Sequence, residues 1–560
     1  MSDLSLFVSP LVRQAARNLH RIELLTENPA WTDWFYRSYF WHTRRMMAVT
    51  PDEAAAWMPA MAFAISCESD APVLAELARW PIPERLPPEA LPWRAALIRS
   101  WEQQRAVTSW GKTICLAALV RLDRRAERLP EWLAEARRAR YLRWYDRDLR
   151  LAALAGWRPR PGDGLPHGDK AEAAQAWIRF WGKRYRTPGS EVDGLIAATA
   201  MLHLAEAGWL PSGPSPEQVR AEFRQRVQQV QQWTTSYLER SVLQMLLSSV
   251  PADASAPEQQ QQDIMAWLKL THRNVRWEKR EAVWDMLAAW QRGGVLERSG
   301  RGRLPEPPRL LPDLARTLEC EQDGVVLLAM AGYIPGAVGV SAHPEAARAV
   351  VARWEALSRN DDWRIRQAAW VGRWNFLRAG VLTAEEQTRF GADYVDAVKF
   401  EPEVTALLTL AQITPPGTFP LATWAGRLSD QGDGYRLAAY LAIHGWLVDM
   451  TGGGQRRQMR QVLRRAGQED TDAGRVAPFV NLPPEVLPDF RRLHKIETAL
   501  ATGQIPPPPD AAAENRVTPR AVLARLPEAP PQMNPPGNTD RAAGSDPQAR
   551  HPFPEVIHHE

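Results

Sequence analysis

Cysteine is scarce in this chain, with only three in 560 residues: Cys67, Cys115 and Cys320. Three widely spaced cysteines form neither a disulfide framework nor a metal-binding pattern, which is typical of a protein from a reducing compartment. The N-terminal residues lack the basic start and apolar core of a secretory signal. The sequence therefore predicts a cytoplasmic protein.

Long apolar runs are also missing. The two longest uncharged stretches, 324–344 and 404–426, are interrupted by proline and glycine. A membrane-spanning helix needs about 20 mostly apolar residues, so each stretch instead predicts a buried helix followed by a loop. We expect no membrane association.

Signatures of catalysis and of cofactor binding are absent from the sequence. The 11 histidines include no HExxH pair, and no GxSxG motif occurs. Residues 106–113, AVTSWGKT, loosely match a phosphate-binding loop, but such a loop follows a buried strand, whereas the residues before it have a helical pattern. We predict no metal, no cofactor and no catalytic residue.

Alternation with a period of two residues is rare, so the sequence predicts an all-α protein. Proline- and glycine-rich breaks separate an N-terminal helical region (1–160), a helical segment (170–250) and a set of repeated helices (258–500). The final part, 501–560, is rich in proline and lacks apolar periodicity. Such a segment buries too little apolar surface to offset its ordering entropy, which predicts a disordered tail.

Tryptophan is abundant, with 25 residues. The densest aromatic segment is 31–41, WTDWFYRSYFW, which holds seven aromatic residues. A helix that is aromatic on all sides is usually buried, and we predict a core helix here. The alternative is a platform on which nucleic-acid bases stack.

A segment of 24 residues occurs twice, at 273–296 and 359–382, with 10 identical positions. Each copy predicts a helix on which two tryptophans and an arginine recur at i, i+3 and i+7, and therefore share one face. These structural repeat residues are Trp277, Arg280 and Trp284 in the first copy and Trp363, Arg366 and Trp370 in the second. Because the arginines lie beside tryptophans, we expect both to be partly enclosed and paired with a carboxylate.

Both copies also contain residues suited to the ends of a helix. Asn274 and Asn360 suit the N-cap position, and Gly294 and Gly380 suit the left-handed conformation that ends many helices. An amphipathic run precedes each copy, so the repeated unit is predicted to be a helical hairpin.

The second copy resembles the inner helix of a HEAT repeat, in which an acidic residue precedes an apolar–Arg pair and then small residues. Here Asp361 or Asp362 precedes Ile365–Arg366, and two alanines follow. The offset between copies, 86 residues, is twice 43, within the HEAT and armadillo period of roughly 40–47. The first copy departs from the pattern at Lys279, where HEAT repeats have an apolar residue. The resemblance implies an α-solenoid of HEAT-like helical hairpins over about 230–500.

Two segments combine arginine with few acidic residues and are candidates for nucleic-acid contact. The first, 179–186, interleaves arginine with aromatic residues, and the second, 455–465, contains no acidic residue. The candidate arginines are Arg179, Arg184, Arg186, Arg456, Arg457, Arg460, Arg464 and Arg465. Phosphate backbones bind such stripes. The alternative is an ordinary amphipathic helix whose arginine stems cover apolar surface.

The leading functional hypothesis is a non-catalytic helical-repeat scaffold or adaptor that binds a protein partner, because repeat proteins present long surfaces. The second is a solenoid that binds nucleic acid through its arginine stripes. The third is a protein similar to the HEAT-like DNA alkylation-repair glycosylases. These use tryptophan and aspartate near a damaged base, and Asp361, Asp362 and Trp363 are the candidates here.

Overall fold

The computed structural model describes residues 9–26, 29–47, 50–83, 86–107, 112–142, 144–159, 164–229, 277–292, 310–416, 419–427, 433–450, 496 and 499–500. Within this part every regular element is a helix, so the all-α prediction is confirmed. All of it belongs to one compact unit, Met1–Arg516. The predicted disordered tail, 501–560, lies outside the described residues.

The helices are short to medium in length. In chain order they are α1 (Pro10–Thr26), α2 (Trp34–Met47), α3 (Pro51–Ala56), α4 (Met58–Cys67), α5 (Ala71–Ala78), α6 (Leu91–Val107), α7 (Lys112–Leu122), α8 (Leu129–Ala139), α9 (Trp144–Ala155), α10 (Asp169–Arg186), α11 (Glu191–Glu206), α12 (Pro216–Gln229), α13 (Trp277–Arg292), α14 (Leu310–Cys320), α15 (Gly324–Ala331), α16 (Ala337–Ala342), α17 (Pro344–Leu357), α18 (Trp363–Arg378), α19 (Ala384–Phe400), α20 (Val404–Leu410), α21 (Leu421–Arg427) and α22 (Asp433–Met450).

The helices are of two kinds, and their sequences explain the difference. Apolar residues surround α11, α15 and α20, and these helices are buried on almost all sides. By contrast, α19 buries only Phe390, Tyr394 and Val398, which recur every four residues on one face. A helix that is apolar all round belongs in a core, whereas a one-sided helix covers a core and faces water.

The buried helices pack one against the next. In the later part of the chain α13, α15, α18, α20 and α22 form such a series, and α17 and α21 pack against it at α18 and α22. In the earlier part the series is α2, α5, α7, α9 and α11. The two series meet where α2 contacts α15, α18 and α20, and α1 also contacts α22.

The ends of α18 follow the sequence prediction in part. Gly380 adopts the predicted left-handed conformation, with φ of 71°. The N-cap prediction for Asn360 is wrong, because the side chain of Asp362 accepts the hydrogen bond from the backbone N–H of Arg364. Asn360 instead accepts from the N–H of Asp362, and so lies two residues before the N-cap position. Asn274 and Gly294 lie outside the described residues.

The prediction that the aromatic segment 31–41 is a core helix is wrong for part of its length. Helix α2 begins only at Trp34, whose side chain is 43 % exposed. Phe40 and Trp41 are buried in the core, but Phe35 and Tyr39 are half-buried. One face of this helix therefore faces away from the core.

Both uncharged stretches begin with a short buried helix and then a loop, as predicted, but a second short helix, α16 or α21, follows the loop in each stretch. Helix α15 ends at Ala331 and α20 ends at Leu410. No helix among the described residues is long and apolar enough to cross a membrane.

Candidate binding surface on the repeated helices

The repeated arginines make matching ion pairs. Arg280 donates from Nε and Nη2 to the two carboxylate oxygens of Glu321, at 2.7 and 3.0 Å. Arg366 binds Glu401 in the same way, at 3.0 and 2.5 Å. Two parallel hydrogen bonds between charged groups fix orientation as well as distance. We call each such pair a clasp.

The glutamate of each clasp lies two residues before the N-cap of a short buried helix. Glu321 precedes Asp323, the N-cap of α15, and Glu401 precedes Glu403, the N-cap of α20. The glutamate oxygen that accepts from Nη2 of the arginine also accepts a hydrogen bond from a backbone N–H. The donor is Asp323 in one clasp and Glu403 in the other, at 3.0 Å in each case. The clasp therefore fixes the start of the short helix against the arginine-bearing helix.

A third clasp was missed in the sequence. Arg37 of α2 binds Glu68 with two bonds of 2.9 and 3.1 Å, and Glu68 lies two residues before Asp70, the N-cap of α5. Trp34 and Trp41 stand three residues before and four residues after Arg37. The spacing W-x-x-R-x-x-x-W thus occurs three times, and it could have been found at 34–41 among the other aromatic residues.

The three clasps are enclosed to the same degree. Each arginine side chain is 13 % exposed, and the glutamates are 3–6 % exposed. Burial raises the pKa of Glu68, and the hydrogen bonds from Arg37 oppose that rise. The hydrogen bonds to Glu401 raise the pKa of Arg366. Breaking an enclosed pair by removing one partner costs about 3–5 kcal/mol, so each clasp is expected to matter for stability.

A second set of buried ion pairs joins α2 to α13. Arg45, whose side chain is only 1 % exposed, pairs with Asp285 and, at 3.5 Å, with Glu76. Arg79 bonds to Asp285 at 3.0 Å and to Glu76 at 3.2 Å. His42 contacts Glu76 at 2.9 Å. We call this group the junction cluster.

The charges of the junction cluster shift the pKa values of its members. Burial alone would raise the pKa of Glu76, but His42, Arg79 and Arg45 outweigh burial and hold it well below its ordinary value. Nearby, burial and the positive charge of Arg158 lower the pKa of Arg121 to about 10. Both acids of the cluster, Glu76 and Asp285, have cationic partners, which is the usual condition for burying charge.

Hydrogen bonds also join α2 to α18. Gln367 donates to the hydroxyl of Thr43 at 2.9 Å. Asn375 donates to the backbone carbonyl groups of Met46 and Ala331, both at 2.8 Å. The helices that carry Arg37 and Arg366 are therefore in direct contact.

A row of aromatic rings, only partly buried, extends from α2 to the start of α18. Trp34 meets Phe35 at 6.1 Å between ring centroids, Phe35 meets Tyr39 at 4.6 Å, and Tyr39 meets Trp363 at 5.8 Å. The guanidinium of the exposed Arg364 lies 5.3 Å from the Trp363 ring. These five residues are named the aromatic surface. Its first and last tryptophans each stand three residues before a clasp arginine.

The candidate nucleic-acid residues on α10 have different environments. Arg184 pairs with Asp193 at 3.3 Å and stacks on Phe180 at 4.2 Å. Arg179 and Arg186 are exposed. Lys183 is exposed as well and lies between them on the same face of the helix. The remaining candidates, Arg456, Arg457, Arg460, Arg464 and Arg465, lie outside the described residues.

The candidates for glycosylase-like chemistry serve other purposes. Asp362 caps α18, the backbone carbonyl of Asp361 accepts a hydrogen bond from Arg366 at 2.7 Å, and both carboxylates are exposed. Trp363 packs on Tyr39. Helix α6, not a strand, precedes the phosphate-loop-like segment. The described residues contain no group of three side chains able to hold a metal ion.

Comparison with known proteins adds little to this geometry. No protein-family model matches the chain, and no curated protein matches it. One similar solved structure is the crystal structure of an engineered protein, which is 14 % identical. The match covers 77 % of this chain and 100 % of that chain, with a TM-score of 0.23. So low a score carries no argument about fold or function.

Proposed function

We propose that the protein is a HEAT-like helical-repeat scaffold without catalytic activity, and that it binds a protein partner through the aromatic surface. The observation that carries this proposal is the placement of Trp34 and Trp363. Both belong to the repeated W-x-x-R-x-x-x-W pattern, yet neither is fully buried. By contrast, the second tryptophan of each copy of the pattern is a core residue: Trp41, Trp284 and Trp370.

The composition of the surface supports binding. Tryptophan, tyrosine and arginine are the residues that most often dominate the binding energy of protein interfaces. Trp34 and Trp363 are held on helices fixed by clasps, so few conformations are lost when a partner binds. Arg364 adds a positive charge at the edge of the aromatic rings, so a partner segment with apolar side chains and a carboxylate suits this surface.

The packing of the buried helices supports the repeat assignment. Three arginine-bearing helices each pack against a short helix whose start is fixed by a clasp, and stacking of similar units is how solenoids build a continuous core. The faces of α15 and α20 are buried, so they are closed to a partner. Partner binding therefore belongs to the partly exposed side of α2 and the start of α18.

The test compares two matched double variants in capture from nuclease-treated lysate of the source cells. Trp34→Ala with Arg364→Glu alters the aromatic surface. Phe400→Ala with Lys399→Glu alters another exposed aromatic residue with a stacked cation, 4.9 Å apart. We expect a protein recovered by the unaltered chain and by the Phe400 variant to be lost with the Trp34 variant. Equal recovery with all three chains would contradict the proposal.

A second candidate function, nucleic-acid binding, is favoured by the exposed stripe of Arg179, Lys183 and Arg186 on α10. Each phosphate contact contributes about 0.9 to the slope of log affinity against log salt for duplex DNA. A gel shift of the unaltered chain at several salt concentrations, repeated with all three residues changed to glutamine, measures this slope. Absence of a shift at low salt excludes the stripe as a nucleic-acid site.

The glycosylase-like alternative is the least supported, because Asp361 and Asp362 are exposed and Asp362 caps a helix. We expect no release of bases from alkylated DNA incubated with the protein. Base release that disappears with Asp362→Asn, in a chain that keeps its helical circular dichroism, would overturn this expectation.

A further inference from the structure

A basic cavity lies among four consecutive helices, α6 to α9, away from the aromatic surface. Its volume is about 170 Å³. The apolar side chain of Leu116 lines part of it, and the other lining side chains are charged. They are one carboxylate, Glu135, and four cations, Arg105, Lys112, Arg138 and Arg150.

The single carboxylate is shared among three guanidinium groups. One oxygen of Glu135 accepts from Arg105 and Arg138, each at 3.0 Å, and the other accepts from Arg150 at 3.4 Å. Arg105 also pairs with Glu131 outside the cavity lining. Lys112 is exposed and forms no ion pair with any described residue. The cavity lining therefore carries more positive charge than its own carboxylate neutralises.

Excess positive charge in a partly enclosed space attracts an anion, because the local dielectric constant is lower than that of water. Arg105 and Arg150 are largely enclosed, at 22 % and 17 % exposed. Their guanidinium groups supply planar donors that suit phosphate oxygens. Arg138, at 69 % exposed, and Lys112 lie at the solvent side, where they can close around a bound anion.

The size of the cavity limits the ligand. A cavity of about 150 Å³ holds one benzene molecule, whereas pockets for drug-sized ligands measure about 300–1,000 Å³. The space of 170 Å³ accordingly admits one phosphate group and excludes an enclosed nucleotide. A phosphate dianion also matches the excess charge better than a monovalent carboxylate does.

We propose that the cavity formed by Arg105, Lys112, Arg138 and Arg150 binds a single phosphate group, as free phosphate or as the phosphate monoester of a phosphorylated side chain. The site is separate from the proposed partner-binding function. Trp34→Ala with Arg364→Glu should leave phosphate binding unchanged, so either proposal can fail without the other.

The test is isothermal titration calorimetry of the full chain at constant ionic strength. The probes are inorganic phosphate, a neutral peptide with one phosphoserine, and the same peptide without phosphate. We expect saturable binding of one phosphate per chain and no binding of the unphosphorylated peptide. Tighter binding of the phosphopeptide than of phosphate identifies a protein as the source, and the opposite order identifies free phosphate.

Matched variants locate the site. Lys112→Gln with Arg138→Gln should weaken phosphate binding at least tenfold. Arg316→Gln is the control. Like Arg138, Arg316 is well exposed, at 66 %, and pairs with an acid three residues earlier. The affinity of this variant for phosphate should stay within twofold of that of the unaltered chain. Lys112→Gln alone, at an exposed residue, should weaken binding several-fold if the double variant is unfolded by circular dichroism. No saturable binding to the unaltered chain, or equal affinity in all variants, would overturn the proposal.

Discussion

Arg37 and Arg366 make matching hydrogen bonds to a glutamate and to the preceding loop, although they lie in distant parts of the chain. Arg37 makes one further bond, to the carboxylate of Asp70 at 2.5 Å. Each binds a glutamate through Nε and Nη2. Each also donates from Nη1 to the carbonyl groups five and six positions earlier, at 2.6 and 2.7 Å for Arg37 and at 2.7 and 2.9 Å for Arg366. These bonds hold the loop before the arginine-bearing helix against the start of the short helix that follows the glutamate.

Loss of a clasp should destabilise the fold clearly. Arg366→Ala leaves the enclosed carboxylate of Glu401 without its partner, which is expected to cost about 3–5 kcal/mol of unfolding free energy. Arg378→Ala is the control, because Arg378 is 46 % exposed and pairs with the partly exposed Glu53, and an exposed pair contributes about 0–1 kcal/mol. Urea denaturation measures both. Equal effects of the two substitutions would refute the structural role of the clasp.

The same loss is expected in the missed copy. Arg37→Ala should destabilise the fold about as much as Arg366→Ala, since both side chains are 13 % exposed and bind a buried glutamate. Thermal unfolding followed by circular dichroism compares the two variants directly. If Arg37→Ala has no effect while Arg366→Ala is strongly destabilising, then α2 is not equivalent to the repeated helix α18.

Acid should weaken the junction cluster through Glu76. Its pKa is lowered in the folded state, so its contribution to stability is present above the unfolded pKa of about 4.3 and is lost as pH falls toward the folded value. Glu76→Gln is therefore expected to lower the melting temperature most near neutral pH, and its difference from the unaltered chain should shrink below about pH 4.

Melting curves between pH 8 and pH 3 test this pH dependence. The matched control is Glu385→Gln, at a carboxylate that is 87 % exposed and pairs with Arg389 four residues later. It should change the melting temperature little at any pH. A difference between Glu76→Gln and the unaltered chain that stays constant from pH 8 to pH 3 would argue against an ionised Glu76 in the cluster.

The close approach of α17 to α18 requires a glycine. A Cβ atom at position 372 would lie 2.6 Å from the ring of Trp354, which is fully buried. Gly372→Ala should therefore destabilise the fold by about 1–3 kcal/mol through overpacking. Gly426→Ala, where a Cβ meets nothing within 4 Å, should be neutral or stabilise helix α21 by up to about 1 kcal/mol. Differential scanning calorimetry measures the stability of both variants. If Gly372→Ala has no effect on stability, then α17 and α18 can move apart to admit the extra carbon.

Sequence reasoning found the helices and the two similar copies because local periodicity encodes them. It did not find the glutamate partners, because the separation from arginine to glutamate varies between 31, 41 and 35 residues. It also missed the copy at Arg37, where neighbouring aromatic residues obscure the W-x-x-R-x-x-x-W spacing. The pairing of Arg45 with Asp285 spans 240 residues, and no local pattern indicates so distant a contact.

The aromatic surface shows a different limit of sequence reasoning. A dense aromatic segment predicts burial from composition alone, yet Trp34 is 43 % exposed. Which face of α2 stays open depends on where α5, α18 and α20 pack, and this is a property of the tertiary structure. The exposed face could therefore be recognised only after the helices were placed.

The central claim is that the aromatic surface binds a protein partner. Its most direct test is the dissociation constant of the captured partner for four purified chains: unaltered, Trp34→Ala, Arg364→Glu and Phe400→Ala. Interface hot spots cost at least about 2 kcal/mol when truncated. We predict that Trp34→Ala weakens binding by roughly 30-fold or more, that Arg364→Glu weakens it clearly, and that Phe400→Ala leaves it unchanged, with equal melting temperatures for all four chains. Equal dissociation constants for all four would contradict the claim.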